Sequence, residues 1–165
     1  MRFAATRTIR AGHLITLLLA ILLPLHAAAD IFVTFGSDFC TGGSTDRGFQ
    51  GASDVLAVDL EVQEGVLKPF KLAKLIDGCT TALLGAALAG TEIDSVIVTT
   101  EPGGKGRVLY EISLQDAQIT SVRQDGQDGQ LVEAVTIQSN AATIRFFEYD
   151  ERGGVSVDEV SLVVE

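Results

Sequence analysis

Apolar and polar residues alternate along most of this chain, and glycines punctuate the alternation. Residues 30–35 (DIFVTF) alternate and are rich in β-branched and aromatic side chains, which predicts a first strand. Residues 36–54 carry no period and hold Gly42-Gly43-Ser44-Thr45-Asp46 at their centre, so they read as a long loop of the functional or mobile kind. Alternation resumes over 55–62, with Leu56, Val58, Leu60 and Val62 on one face, and stops at Gly65. A third strand is expected over 66–75, where Pro69 marks an edge or a bulge. The period then changes. Asp77 suits an N-cap and Gly90 a C′ residue, and between them Leu83, Leu84, Ala87 and Leu88 form one apolar stripe at helical spacing. That stripe is expected to face the core. Strands follow at 95–100, 107–114, 118–123, 131–139, 143–149 and 155–164, joined by the turns 101–106, 124–130 and 150–154. Many short strands between glycine-rich turns, with one helix among them, predict a mainly β sandwich or small barrel.

The N-terminal 29 residues follow a different rule. Arg2, Arg7 and Arg10 precede a largely apolar run, residues 14–25, and Ala27-Ala28-Ala29 comes before Asp30. A basic start, a short apolar run and small residues at −3 and −1 make a secretory signal peptide, with cleavage expected after Ala29. The run is short for a membrane-spanning helix; a retained anchor is the alternative. On this reading residues 1–29 are the signal and 30–165 are one exported domain, periplasmic or extracellular, with no membrane insertion once the signal is gone.

Composition matters mostly through what it removes. His13, His26 and Met1 all lie in the leader, so the mature chain has no imidazole. That excludes Ser-His-Asp and Cys-His catalysis and any histidine-ligated metal. Two cysteines cannot make a cysteine-rich zinc site. All 22 acidic residues but only nine of the 12 basic ones fall after residue 29, for a mature net charge of −13. Such a surface repels nucleic acid and anionic membranes. In an exported protein Cys40 and Cys79 read as one disulfide, with two unpaired thiols as the alternative.

Three motifs offer chemistry. Gly103-Gly104-Lys105-Gly106 lacks the spacing of a phosphate loop and joins strand to strand, so it reads as a turn. Asp125-Gly126-Gln127-Asp128-Gly129 has too few acids for a calcium loop and no terminal glutamate. No cofactor is called for. Lys68, Lys71 and Lys74 are the clustered cations of the mature chain. They fit a solvated edge strand guarded against aggregation, or a basic patch that meets acids of a neighbouring copy. Carboxylates abound, but with no tryptophan and only Tyr110 and Tyr149 a sugar-binding hydrolase cleft is poorly furnished.

Several segments together carry a family resemblance. They are Asp30-Ile31-Phe32, the stretch from Ser44-Thr45-Asp46-Arg47-Gly48 to Gly65, and Phe70-Lys71-Leu72-Ala73-Lys74-Leu75-Ile76-Asp77 running into the helix. With them go Leu83-Leu84, the glycine stop at Gly90, Tyr110-Glu111-Ile112-Ser113-Leu114-Gln115-Asp116-Ala117, Val122, Glu133-Ala134-Val135-Thr136-Ile137 and Phe147-Glu148-Tyr149. In this order they resemble the haemolysin-coregulated protein (Hcp) family, the tube proteins of type VI secretion. The resemblance spans nearly the whole mature chain and rests on element order and weak motifs. The segment 110–117 is similar to the family's strand leading into an acidic turn.

The resemblance implies a small β-barrel of two antiparallel sheets with one flanking helix. It also implies a non-catalytic, structural role: hexameric rings of identical subunits that stack into a hollow tube able to carry effectors. The partners so implied are further copies of the chain, secretion-system components and effectors. Two features depart from the family. Its tube proteins need no signal peptide. Here the second-strand segment, residues 58–65, lacks the aromatics common there, and the longer glycine- and histidine-rich insert that the family often has between the positions of Gly65 and Phe70 is missing. An exported binding module that keeps the barrel without assembling, and a two-carboxylate hydrolase, are the competing readings.

Overall fold

The computed structural model describes residues 30–103, 107–127 and 129–163. The leader, the centre of the 101–106 turn and Asp128 of the calcium-like loop lie outside the described residues. Ten strands and one helix occur among those described. They are β1 (Asp30–Phe35), β2 (Ser53–Asp59), β3 (Val62–Gln63), β4 (Val66–Leu67), β5 (Phe70–Leu75), α1 (Thr80–Ala89), β6 (Glu92–Glu101), β7 (Tyr110–Gln127), β8 (Gln130–Gln138), β9 (Ala141–Tyr149) and β10 (Val155–Val163).

Strand order explains the shape. The main sheet runs β10-β9-β7-β6-β1-β2-β5-β8, and β7 pairs β8 as well, so β7, β6, β1, β2, β5 and β8 close into a six-stranded antiparallel barrel. Closure is possible because β7 is long. Its first half pairs β6 along one edge, from Thr100↔Tyr110 to Glu92↔Gln118. Its other edge takes β9 over the first half (Tyr110↔Phe146 to Gln115↔Ala141) and β8 over the second (Gln118↔Gln138 to Gln127↔Gln130). β8 and β9 are thus two parts of one ribbon that faces β7 throughout. β8 continues the barrel to β5 (Phe70↔Ile137), whereas β9 leaves it and pairs β10, forming a two-stranded wing.

The residues 110–127 depart from expectation at one point. An acidic turn was expected near Gln115-Asp116, followed by a separate strand. Instead Asp116 takes a left-handed conformation (φ 48°) and the strand carries on. The kink lies where the facing ribbon passes from β8 to β9, and Ser139 Oγ ties the crossing, 2.5 Å from Gln115 O. Burial explains why the chain does not reverse. Ala117 and Ile119 beyond the kink are as buried as Ile112 and Leu114 before it. The strand expected over 66–75 is also divided, into β4 and β5, by Lys68-Pro69.

The barrel is filled from all its strands: Val33 and Phe35, Val55, Phe70 and Leu72, Val96 and Val98, Ile112 and Leu114, Val135 and Ile137, with Leu83 from the helix. α1 ends where Gly90 turns left-handed (φ 66°), a conformation that costs glycine nothing. The face it buries corrects the expected stripe. Thr80, Leu83 and Ala86 are buried, while Leu84 lies at the surface and Leu88 is 90% exposed. On the inward face Leu83 enters the core between the smaller Thr80 and Ala86, and Leu84 and Leu88 beside them are turned out. The expected N-cap shifts as well: Cys79 holds that position, and Asp77 sits two residues earlier.

Candidate functional site

The strands and helix converge on a charged cluster beneath the start of α1. On β5 the inward face reads Phe70, Leu72, Lys74, so the alternation that buries two apolar residues also buries a lysine. Glu133 faces it across the β5–β8 pair (Lys74↔Glu133) on the same inward face as Val135 and Ile137. Both side chains are fully buried. Lys74 Nζ donates to Asp77 Oδ1 at 2.8 Å and to Leu75 O at 2.7 Å, and it lies 4.0 Å from Glu133 Oε2. Thr80, in the first turn of α1, donates its hydroxyl to Glu133 Oε2 at 2.9 Å. One ammonium thus serves two carboxylates in the interior, which is tolerable only because each is also hydrogen-bonded.

Asp77 links this cluster to the long loop. Its Oδ1 accepts the Cys79 N–H at 2.9 Å, and its Oδ2 accepts the Gly43 N–H at 3.2 Å. Burial alone would raise the Asp77 carboxyl. The hydrogen bonds from Lys74 and Cys79, with the Lys74 charge, outweigh burial and hold it below the usual carboxylate value. Beside it Cys40 and Cys79 are joined, with Cα atoms 5.1 Å apart. The loop is drawn in further by Gly42 N–H to Gly51 O (2.7 Å) and Ser44 N–H to Ala52 O (2.9 Å). A Cβ on Gly42 would sit 2.3 Å from the Ala52 carbonyl, and one on Gly78 2.4 Å from Thr41 O. Only glycine permits these approaches.

The three lysines singled out in the sequence therefore separate. Lys74 is interior and saturated by its own chain, which removes it from any contact with a neighbouring copy. Lys71 points to solvent, 3.5 Å from Asp59, with both side chains more than half exposed. Lys68 is half-buried next to the β3–β4 ribbon. Two groups were not singled out. Glu133 completes the buried cluster, and its place in the same alternation as the inward Val135 and Ile137, at i+2 and i+4, was the available signal. The other is the wing, where Val155, Val157, Val160 and Val163 of β10 are all about half exposed or more, with Phe146 of β9 beside them. A cross-strand row, Glu111–Arg145–Glu159, stitches the wing to β7 (Arg145 Nη1 to Glu111 at 2.9 Å, Nε to Glu159 at 2.7 Å).

Among the described residues no cluster of His, Cys, Asp or Glu could hold a metal ion, and no helix is long and apolar enough to cross a membrane. What the arrangement provides is a rigid barrel, a loop fixed to it at one corner, and a wing with open apolar surface.

The family model described as "Type VI secretion system effector, Hcp" matches residues 32–146. The chain belongs to the Hcp family. The match takes in all six barrel strands, the helix and most of β9. Solved Hcp structures share the fold at low sequence identity. Hcp1 from Salmonella typhimurium superposes with a TM-score of 0.69 at 18% identity, covering 80% of this chain and 93% of that one. A type VI secretion system effector from Yersinia pestis gives 0.67 at 22% identity, covering 81% and 100%. The secreted protein Hcp3 from Pseudomonas aeruginosa gives 0.63 at 18%, covering 80% and 98%. No curated protein sequence matches the chain. Membership of the Hcp family supports a structural, tube-type role and a homo-oligomeric habit.

Proposed function

We propose that this protein is an exported, non-catalytic Hcp-family subunit that assembles with copies of itself into a ring, a hexamer in the simplest form, whose lumen could carry effectors. The observation that carries this reading is the family match across the whole barrel, joined to a wing whose apolar strand is left open to solvent. Export is supported by the leader that ends in Ala27-Ala28-Ala29. Protein recovered from the exporting cell is expected to begin at Asp30 by mass spectrometry. Intact Met1 on a soluble cytoplasmic pool would overturn export while leaving assembly open.

Assembly has its own test. Subunits of charge −13 repel one another within about a Debye length, ~8 Å at physiological salt. Contacts that are mainly apolar gain when that repulsion is screened. A contact that pairs lysine with an acid across the interface is weakened by salt instead. Light scattering at low and high salt on protein starting at Asp30 is therefore expected to show a ring whose salt response reports which kind of contact dominates, with ring-shaped particles in negative stain. A monomer at every salt and at high concentration would overturn the ring and leave the barrel as an exported binding module.

A further inference from the structure

A ring needs two different surfaces on each subunit, because a contact between identical patches closes as a dimer. The wing supplies one. Among the described residues β10 pairs only with β9, so its other edge leaves the backbone N–H and C=O groups of alternate residues without a strand partner. The strand (VSVDEVSLV) has neither lysine nor proline to guard that edge. One face of the wing begins in the core at Ala142 and Leu162 and runs out into solvent at Phe146 and Val160, 38% and 57% exposed. Two exposed acids flank this apolar ledge, Asp158 and Glu148. Stacking the ledge on its own copy would set these acids against each other.

The second surface has the opposite character. On the outer face of the barrel the register aligns Ala57 with Ala73, Ala73 with Ala134 and Ala134 with Arg123. The three alanines floor a shallow, mainly apolar hollow of about 220 Å³, bordered by Val58, Asp59 and Lys71. Lys71 and Arg123 stand exposed beside it. Lys71 is held only by an exposed Asp59 at 3.5 Å, a weak tie that a better-placed carboxylate can replace.

We propose that the wing ledge of one copy, Phe146 and Val160 flanked by Asp158 and Glu148, seats in the alanine hollow of the next copy between Lys71 and Arg123. This rests on the ring reading above and names its contact. The fit is of apolar ledge to apolar hollow and of two acids to two cations, with the incoming acid competing against Asp59 for Lys71. It is head-to-tail, so every subunit both gives and receives.

Charge reversal and cross-linking test it on the protein starting at Asp30. Asp158→Lys and Lys71→Glu alter exposed side chains, and circular dichroism checks that each variant keeps its fold. Each alone is expected to weaken assembly about tenfold, and the two combined to recover most of that loss. Val160→Cys together with Ala73→Cys is expected to give intermolecular 160–73 cross-links, identified by peptide mapping beside the native cysteine pair. Rings in negative stain with only 160–160 cross-links, or with no cross-link and no effect of charge reversal, would overturn this contact while the ring stands. A parent protein that stays monomeric would overturn both.

Discussion

Replacing Lys74 by methionine is expected to destabilise the barrel by about 3–5 kcal/mol at neutral pH, because two interior carboxylates lose their shared cation. Methionine fills most of the lysine volume, so the loss is electrostatic rather than a cavity. Urea denaturation of parent and variant measures it. The pH dependence separates the cause from simple misfit. In the parent the folded Asp77 carboxyl lies below its ordinary value of 3.8, so its stabilising contribution is present above that value and is lost as pH falls through the folded one. In Lys74→Met the burial that already presses upward on Asp77 is no longer outweighed by Lys74. A raised folded carboxyl destabilises at neutral pH, and the penalty is relieved as pH falls. The parent should weaken on acidification below about pH 4. The gap between the two proteins should narrow over the same range. A gap that stays constant from pH 7 to pH 3 would show that the lysine matters for its shape alone.

This cluster also shows what could be read in advance and what could not. The bounds of β1 were legible because its alternation is uninterrupted and its apolar face meets a filled core. The closing glycine of α1 was legible for a local reason, since a left-handed residue ends a helix wherever it falls. Lys74 was grouped with Lys68 and Lys71 because spacing of three looks like a surface cluster. In a strand, however, positions 68 and 74 share a face and 71 does not, and the break at Lys68-Pro69 uncouples even the first two. The lysine's partner, Glu133, is 59 residues away in sequence, and no local pattern joins them. The helix stripe was misread because Leu83-Leu84 and Ala86-Ala87 admit two adjacent faces. Tertiary contacts made the choice between them: Thr80 bonds Glu133 of β8, and Leu83 and Ala86 are buried on the same face. Asp116 was read as a turn because it has turn chemistry; apolar residues on both sides held the strand in line. The wing escaped notice because an exposed strand and a buried one alternate alike.

Loss of the Cys40–Cys79 link is expected to have the second large effect. The bond closes a loop across 39 positions, which in the chain-entropy model stabilises by about 4 kcal/mol. The double serine variant, or parent protein in reductant, is therefore expected to unfold at lower urea by about 2–4 kcal/mol. The effect should be uneven across the molecule. The barrel is closed by strand pairing that the link does not touch, whereas residues 40–52 depend on it together with Asp77. Hydrogen exchange should quicken first at the amides of Gly42, Gly43 and Ser44, with β6 and β7 protected until global unfolding. Equal loss of protection everywhere would show that the link holds the whole barrel, and alkylation of both thiols in native exported protein would show that it does not form.

The double use of β7 sets the order in which the chain can acquire its shape. Each rung between β7 and the ribbon opposite adds to the one before it, starting from the tight connection between Gln127 and Gln130. This hairpin can therefore zip in small entropic steps. Closure of the barrel has the opposite character. β1 lies between β2 and β6, and the wall it belongs to is sealed only when β8 joins β5 and β7. A chain that emerges from its N-terminus first can pair β1 with β2 and then with β6, but it cannot close the barrel until residue 138 is free. Through most of its synthesis the chain has no closed barrel, and it gains one only near the end.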